Sequence, residues 1–186
     1  MKYLVPDLSV EQLADIDIGY WHDRGIRCVF IDLDNTISHW RQTSITDDAM
    51  ALIDKARDAG LTVVIFTNAS EDRAREAAWN AGIGYYASAR KPLPKRYRRA
   101  IAELDYENRE IMAIGDQIFT DVLGGNLTGC TTVLISPLSE VEHSGTKLFR
   151  LLEKLITGRE ITFKDRLYPY PYEEEQPAEQ TFDRGA

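Results

Sequence analysis

Cysteine is scarce in this chain of 186 residues, and its other zinc-binding side chains are scattered. Cys28 and Cys130 have neither the spacing of a zinc site nor the density of a disulfide framework. Cys28 lies inside an apolar run, where a small core residue is expected. The three histidines, His22, His39 and His143, stand far apart, which argues against a His/Cys zinc centre. A reducing, cytoplasmic location is therefore expected.

Long apolar runs and an excess of positive charge are also missing. No stretch approaches the roughly 18 apolar residues of a membrane span, and the N-terminus has no signal-peptide h-region. The net charge is −8, whereas a generic nucleic-acid-binding protein needs a basic surface. We therefore expect a cytoplasmic protein with no nucleic-acid partner.

Short apolar runs alternate with amphipathic stretches along most of the chain. This alternation predicts βαβ units, and hence an α/β fold with a doubly wound, Rossmann-like parallel sheet of five strands. The predicted strands cover residues 26–32, 61–67, 83–89, 109–116 and 130–136. The predicted helices cover residues 46–60, 70–82, 95–105, 118–126 and 146–156.

The flanking segments differ from this pattern. Residues 1–158 are predicted to form one domain, in which residues 1–25 are a helical extension packed through Leu13, Ile16 and Trp21. Residues 159–186 are rich in proline, tyrosine and acidic residues, so we expect an extended or disordered tail.

Polar side chains stand at or just beyond four of the predicted strand ends. Asp32, Thr67 and Asp116 end three strands, and Lys91 follows another closely. In open parallel sheets, ligands bind beyond the carboxyl ends of the strands, where the strand order reverses. Two carboxylates at that edge repel each other unless a cation lies between them. Mg²⁺, which takes one or two carboxylates together with phosphate and water, fits this arrangement and predicts a phosphorylated substrate.

The remaining side chains at this edge suit phosphoryl transfer. Lys91 offers a cation for the phosphoryl oxygens, while Thr67 and Asn68 offer hydroxyl, amide and backbone donors. An aspartate can act as a covalent nucleophile through an aspartyl-phosphate. A second carboxyl nearby can protonate the leaving oxygen and then activate water.

Four short motifs resemble, in their order along the chain, those of the haloacid dehalogenase (HAD) superfamily. They are "DLDNT" (32–36), "FTN" (66–68), "KP" (91–92) and "GDQIFTD" (115–121). The resemblance implies Asp32 as the nucleophile and Asp34 as the general acid/base. It also implies Thr67 as a phosphate ligand and Lys91 as the stabilising cation. Mg²⁺ would be held by Asp32, the backbone carbonyl of Asp34 and Asp116, with Asp121 as a supporting acid.

Longer segments are similar to one branch of that superfamily. "KPLPKRYRRA" (91–100), "GDQIFTDVLGGNLTG" (115–129) and "LISPL" (134–138) look like the YqeG-type phosphatases of subfamily IIIA. That branch includes phosphatidylglycerophosphate (PGP) phosphatases, so the resemblance implies dephosphorylation of PGP to phosphatidylglycerol. A soluble phosphoester or phosphoprotein substrate, and a non-catalytic phosphate-binding scaffold, stay open as alternatives. A response-regulator receiver fits poorly. In receivers the lysine follows all of the acids, whereas Lys91 precedes Asp116 and Asp121.

The spacing of the motifs predicts a capless enzyme. The connections from Asp34 to Thr67 and from Thr67 to Lys91 have room for about one helix and a short loop or strand, whereas a separate domain needs at least about 50 residues. A small flap at residues 37–44, "ISHWRQTS", is all that could cover the site. An open site suits a phosphate on a macromolecule or at a membrane surface.

A basic segment lies beside the predicted catalytic lysine. It is either a solvated helix face or a patch for a second phosphate, with Lys95 as a phosphate ligand, or for an anionic membrane. Trp21, Trp40 and Tyr97 are either interfacial anchors or packing residues. The basic residues within positions 90–99 are Arg90, Lys91, Lys95, Arg96, Arg98 and Arg99.

Overall fold

The computed structural model describes residues 2–139 of the chain. Its strands are β1 (Leu8–Val10), β2 (Cys28–Ile31), β3 (Thr62–Phe66), β4 (Gly84–Tyr86), β5 (Ile111–Gly115) and β6 (Thr131–Ile135). Its α-helices are α1 (Ile18–Asp23), α2 (Asp47–Asp58), α3 (Glu71–Ala81), α4 (Pro94–Glu103) and α5 (Leu123–Thr128). Short 3₁₀ turns occupy Lys2–Leu4, Leu13–Asp15 and Asn108–Glu110, and a π-helical turn occupies Ile118–Val122.

The strands form one parallel sheet in the order β1-β6-β5-β2-β3-β4. The chain runs outward from β2 through β3 to β4, then returns to the other side of β2 for β5 and β6. The strand order therefore reverses between β2 and β5, which is the switch point of a doubly wound sheet. The predicted fold class is confirmed, with six strands instead of five.

Alternate side chains of the central strands fill two separate cores. On one face, Val29 and Ile31 join the cluster that includes buried side chains of α1, α2 and α3. On the other face, Phe30 stacks on Phe66 at a centroid distance of 4.9 Å, and both pack with Tyr97 of α4. Burial of the sheet on both faces explains why its strands read as continuous apolar runs.

The prediction that residues 1–25 form a helical extension is wrong in one part. Leu8–Val10 is a buried edge strand that pairs in parallel with β6, and Leu8 lies opposite Val133. Its backbone partners stand more than a hundred residues away, so three residues of local sequence could not reveal them. Trp21 and Tyr97 are buried in the core, so neither is an interfacial anchor.

Local signals set the ends of the longer helices. The Thr46 side chain accepts a hydrogen bond from the backbone N–H of Ala49, and α2 begins at the next residue after Thr46. Gly82 ends α3 in the left-handed conformation, with φ of 64°. The predicted helix at 146–156 and the tail at 159–186 lie outside the described residues, so the domain limit at residue 158 stays a prediction.

Neither connection that could hold a cap domain does so. The chain between β2 and β3 contains a loop and α2, and the chain from β3 to Lys91 contains α3 and β4. At the start of the flap, Asn35 takes a left-handed φ of 60° and donates its N–H to the Ser38 carbonyl. Among residues 2–139, no helix is both long enough and apolar enough to cross a bilayer.

Candidate active site

Two aspartates meet at the switch point of the sheet. Asp32 directly follows β2, and Asp116 directly follows the neighbouring strand β5. The backbone N–H of Asp32 donates to the carbonyl of Ile114 at 2.9 Å, which continues the strand pairing up to the site. Both side chains are buried. The rigid ends of two central strands therefore hold these carboxylates at the edge that the sequence predicts.

Lys91 joins this pair and is itself buried. Its Nζ lies 2.7 Å from Oδ1 of Asp32 and 2.5 Å from Oδ1 of Asp121. Burial alone would lower the pKa of Lys91, but the facing carboxylates of Asp121 and Asp32 outweigh it and raise that pKa above its ordinary value. Lys91 is therefore a permanent cation in contact with two acids.

Asp121 reaches Lys91 because Gly115 has no side chain. Asp121 lies in the π-helical turn after β5, and its Oδ2 accepts hydrogen bonds from Thr120 Oγ1 at 3.0 Å and the Gln117 N–H at 3.3 Å. A Cβ on Gly115 would stand 2.2 Å from Cγ of Asp121, far inside van der Waals contact. The glycine is thus required for this carboxylate to lie beside the strand end.

Three carboxylates gather closely enough to share a cation. Oxygens of Asp32, Asp116 and Asp121 lie within 4.8 Å of one another. Oδ1 of Asp116 is buried and has no hydrogen-bond partner among the described residues. Burial and the charges of Asp32 and Asp121 raise the pKa of Asp116 well above its usual range. An all-oxygen set with one unsatisfied atom fits a hard divalent ion such as Mg²⁺.

Burial also dominates the pKa of Asp32. It raises that pKa from 3.8 to about 6, although the Lys91 cation opposes the shift; the Asp121 charge adds to it. A carboxyl with a strongly raised pKa, in contact with a buried lysine, is typical of functional sites. A bound cation would remove the repulsion that contributes to this shift.

The phosphate ligands predicted from the sequence lie in three settings. Thr67 is buried at the end of β3, and its Oγ1 accepts from the Ala69 N–H at 3.1 Å, which leaves its O–H to donate elsewhere. The Asn68 side chain accepts from the Lys91 N–H at 2.7 Å and donates to the Lys91 carbonyl at 3.3 Å. Asn68 therefore holds the backbone that presents the lysine. Lys95 is exposed at the start of α4.

Asp34 does not join the three carboxylates. Its Oδ1 accepts from Nη2 of Arg73 at 2.6 Å, and its Oδ2 accepts from Nη1 at 3.1 Å. Oδ1 also accepts the backbone N–H of Arg41 at 3.0 Å. Sequence reasoning missed Arg73. The available signal was a cation in the first turn of α3, where the helix dipole disfavours positive charge.

Some side chains of the basic segment, residues 90–99, are engaged within the protein and others are exposed. Arg99 pairs with Glu103 at 2.7 Å, and Tyr97 packs inward. Arg90, Lys95 and Arg98 are exposed. Since a helix that follows a parallel strand begins at the carboxyl edge of the sheet, Arg90 and Lys95 lie on the same side of the molecule as the carboxylates.

Comparisons with known proteins show which family the chain is similar to. Residues 11–129 match the family described as haloacid dehalogenase-like hydrolase. The chain is 30% identical to "Probable phosphatase YqeG" of Bacillus subtilis over 155 residues, which are 83% of this chain and 90% of that protein. It is 26% identical to the chloroplastic/mitochondrial phosphatidylglycerophosphate phosphatase 1 of Arabidopsis thaliana over 76% of this chain, but spans only 43% of that protein.

A solved structure shares the fold. The crystal structure of an uncharacterized protein from Listeria monocytogenes serotype 4b superposes with a TM-score of 0.51 at 15% identity, over 69% of this chain and 99% of that one. Together, the family match and the phosphatase relatives confirm the resemblance seen in the motifs and the expected class of enzyme, a HAD-type phosphatase. The chain belongs to the haloacid dehalogenase-like hydrolases.

Proposed function

We propose that this enzyme uses Mg²⁺ and an aspartyl-phosphate on Asp32 to dephosphorylate phosphatidylglycerophosphate. The observation that carries the proposal is the buried group of Asp32, Asp116, Asp121 and Lys91 at the switch point of the sheet. The lipid substrate is supported by the similarity to a named PGP phosphatase and by the connections after β2 and β3, both fully described, neither of which holds a cap domain.

Each residue has a distinct proposed task. Asp32 attacks phosphorus, while Lys91 stabilises its carboxylate and the developing charge on the phosphoryl oxygens. Thr67 donates its O–H to a phosphoryl oxygen, and Asn68 keeps the Lys91 backbone in place. Asp34 protonates the leaving alkoxide and later removes a proton from the water that attacks the intermediate.

The proposed metal ligands are Asp32, the backbone carbonyl of Asp34 and Asp116, with Asp121 as the supporting acid. When bound, Mg²⁺ supplies positive charge that draws the carboxylates and the phosphoryl group together. Asp121 also holds the ammonium group of Lys91 beside Asp32, the proposed nucleophile.

We further propose peripheral contact with the cytoplasmic face of an anionic membrane. Arg90, Lys95 and Arg98 are exposed, and Leu93 among them is 53% exposed. Basic residues close to an anionic bilayer contribute about 1 kcal/mol each. A membrane at this edge would bring the lipid headgroup to the carboxylates without removing the acyl chains from the bilayer.

The test is phosphate release from PGP in mixed micelles containing Mg²⁺. The wild-type chain is expected to release phosphate, and Asp32→Asn to release none above background. Asp58→Asn, on the exposed face of α2, controls for the loss of one carboxylate and should retain wild-type activity. Absence of any Mg²⁺-dependent release from PGP or soluble esters would refute the phosphatase mechanism.

The same assay separates the alternatives for the substrate. Rapid release from nucleotides, sugar phosphates or phosphopeptides, with none from PGP, would replace the lipid by a soluble substrate. A separate test in cells addresses the non-catalytic scaffold, which predicts that Asp32→Asn and Asp34→Asn leave the cellular phenotype unchanged.

A further inference from the structure

Arg73 binds Asp34 through both terminal nitrogens of its guanidinium group. The two N–H···O bonds of 2.6 and 3.1 Å run in parallel, which is the strongest geometry for an arginine–carboxylate pair. Nη2 of Arg73 also donates to the Gln42 carbonyl at 3.2 Å, and the Arg41 N–H donates to Asp34. One network therefore joins the flap, α3 and the proposed acid/base.

This network engages both carboxylate oxygens of Asp34. Both of its carboxylate oxygens accept hydrogen bonds from Arg73, and Oδ1 accepts a further one from the Arg41 N–H. A residue that transfers a proton at the reacting phosphate has to present an oxygen there. The pairing with Arg73 therefore competes with the proposed role of Asp34.

Arg73 has the means to bind another anion. Its side chain is 25% exposed and that of Asp34 is 13% exposed, so solvent and ligands reach the pair. Nε of Arg73 is buried and has no hydrogen-bond partner among the described residues. The fork that binds a carboxylate matches a phosphate equally well, so an incoming phosphate group can replace Asp34 without loss of charge-assisted hydrogen bonds on Arg73.

We propose that Arg73 determines substrate specificity by exchanging Asp34 for a second anionic group of the substrate, a phosphodiester one glycerol unit from the scissile phosphate. The inference rests on the proposed function, since PGP carries both groups. Binding of the diester releases Asp34 toward the reacting phosphate. A simple monoester has no group that releases Asp34, so it reacts slowly even when it is bound.

The experiment compares two water-soluble substrates that differ in the diester. Deacylated PGP contains both groups, and glycerol 3-phosphate contains only the monoester. In the wild-type chain we expect a higher kcat, as well as a higher kcat/KM, for deacylated PGP, by about 10- to 100-fold, the usual value of a charged hydrogen bond. A diester that only adds affinity would lower KM without changing kcat.

Variants on α3 assign this preference to Arg73. Arg73→Gln should bring the ratio of the two kcat values close to one, and Arg73→Lys, which keeps the charge but not the fork, should give an intermediate ratio. Arg75→Gln is the matched control, because Arg75 lies on the same helix, is exposed and pairs with Asp72; its ratio should equal that of the wild type. Thermal denaturation verifies that each variant is folded.

The outcomes separate the inference from the proposed function. Equal kcat values for both substrates in the wild type, or an unchanged ratio in folded Arg73→Gln and Arg73→Lys, overturn the role of Arg73 while the phosphatase stands. Release of phosphate from neither substrate nor PGP overturns the proposed function and this inference with it.

Discussion

The buried carboxyl of Asp32 gives the metal-free protein a pH-dependent stability that Asp32→Asn should remove. Burial raises the pKa of Asp32 from 3.8 to about 6, with Lys91 opposing the shift and Asp121 adding to it. The folded chain therefore keeps this proton to a higher pH than the unfolded chain. Consequently the free energy of unfolding falls as the pH rises from about 4 to about 6, and this contribution is constant above that range.

The size of the effect follows from the shift. About 2 pKa units correspond to about 3 kcal/mol of unfolding free energy. Because part of this is already lost at about pH 4.5, about 2 kcal/mol remains to be lost between about pH 4.5 and about pH 7.5. Asparagine resembles the protonated aspartic acid, so Asp32→Asn should gain about 2 kcal/mol relative to the wild type over that interval.

Urea denaturation in EDTA at three pH values measures this difference. Asp58→Asn, which removes an exposed carboxylate, is the control for a general change in charge. Saturating Mg²⁺ at about pH 7.5 should stabilise the wild type through preferential binding to the folded state and reduce the advantage of Asp32→Asn. The reasoning would be refuted if the difference in unfolding free energy between the wild type and Asp32→Asn were constant with pH. Asp32 would then titrate alike in the folded and the unfolded chain.

Three further substitutions test the packing of the site. Gly115→Ala places a Cβ 2.2 Å from Cγ of Asp121, so the carboxylate must move. Titration calorimetry should show that the affinity for Mg²⁺ falls by about 10- to 100-fold. An unchanged affinity would contradict this role of Gly115. Lys91→Met leaves the carboxylates of Asp32 and Asp121 without their cation. Urea denaturation at neutral pH should show a free energy of unfolding lower by about 3–5 kcal/mol. A decrease below about 1 kcal/mol would argue against these buried ion pairs. Gly124→Ala brings a Cβ to 2.6 Å from Cε2 of Tyr97, and the overpacking should cost about 1–3 kcal/mol while Mg²⁺ affinity is retained.

Much of the fold follows from local sequence. Alternating apolar and amphipathic stretches predict five of the six strands and four of the described helices, with shifts at their ends. Capping residues such as Thr46 and Gly82 mark helix ends because they satisfy backbone groups within a few residues. Strand β1 was missed because its stability comes from hydrogen bonds to β6 and burial, which three residues cannot encode.

The sequence predicts part of the candidate site as well. The order of the motifs predicts that Asp32, Thr67, Lys91 and Asp116 meet at one edge, since the carboxyl ends of parallel strands all lie there. The roles predicted for Asn68 and Lys95 as phosphate ligands stay predictions.

By itself, the sequence determined the doubly wound sheet, the edge where the motif residues gather and the family to which the chain belongs. These follow from periodicity and from short motifs, which are properties of neighbouring residues. Only the tertiary structure decided that Lys91 bridges Asp32 and Asp121, and that Arg73 holds Asp34 across 39 positions of the chain. Such contacts depend on how helices and loops settle over the sheet edge, because side chains far apart in sequence meet only after the backbone has packed.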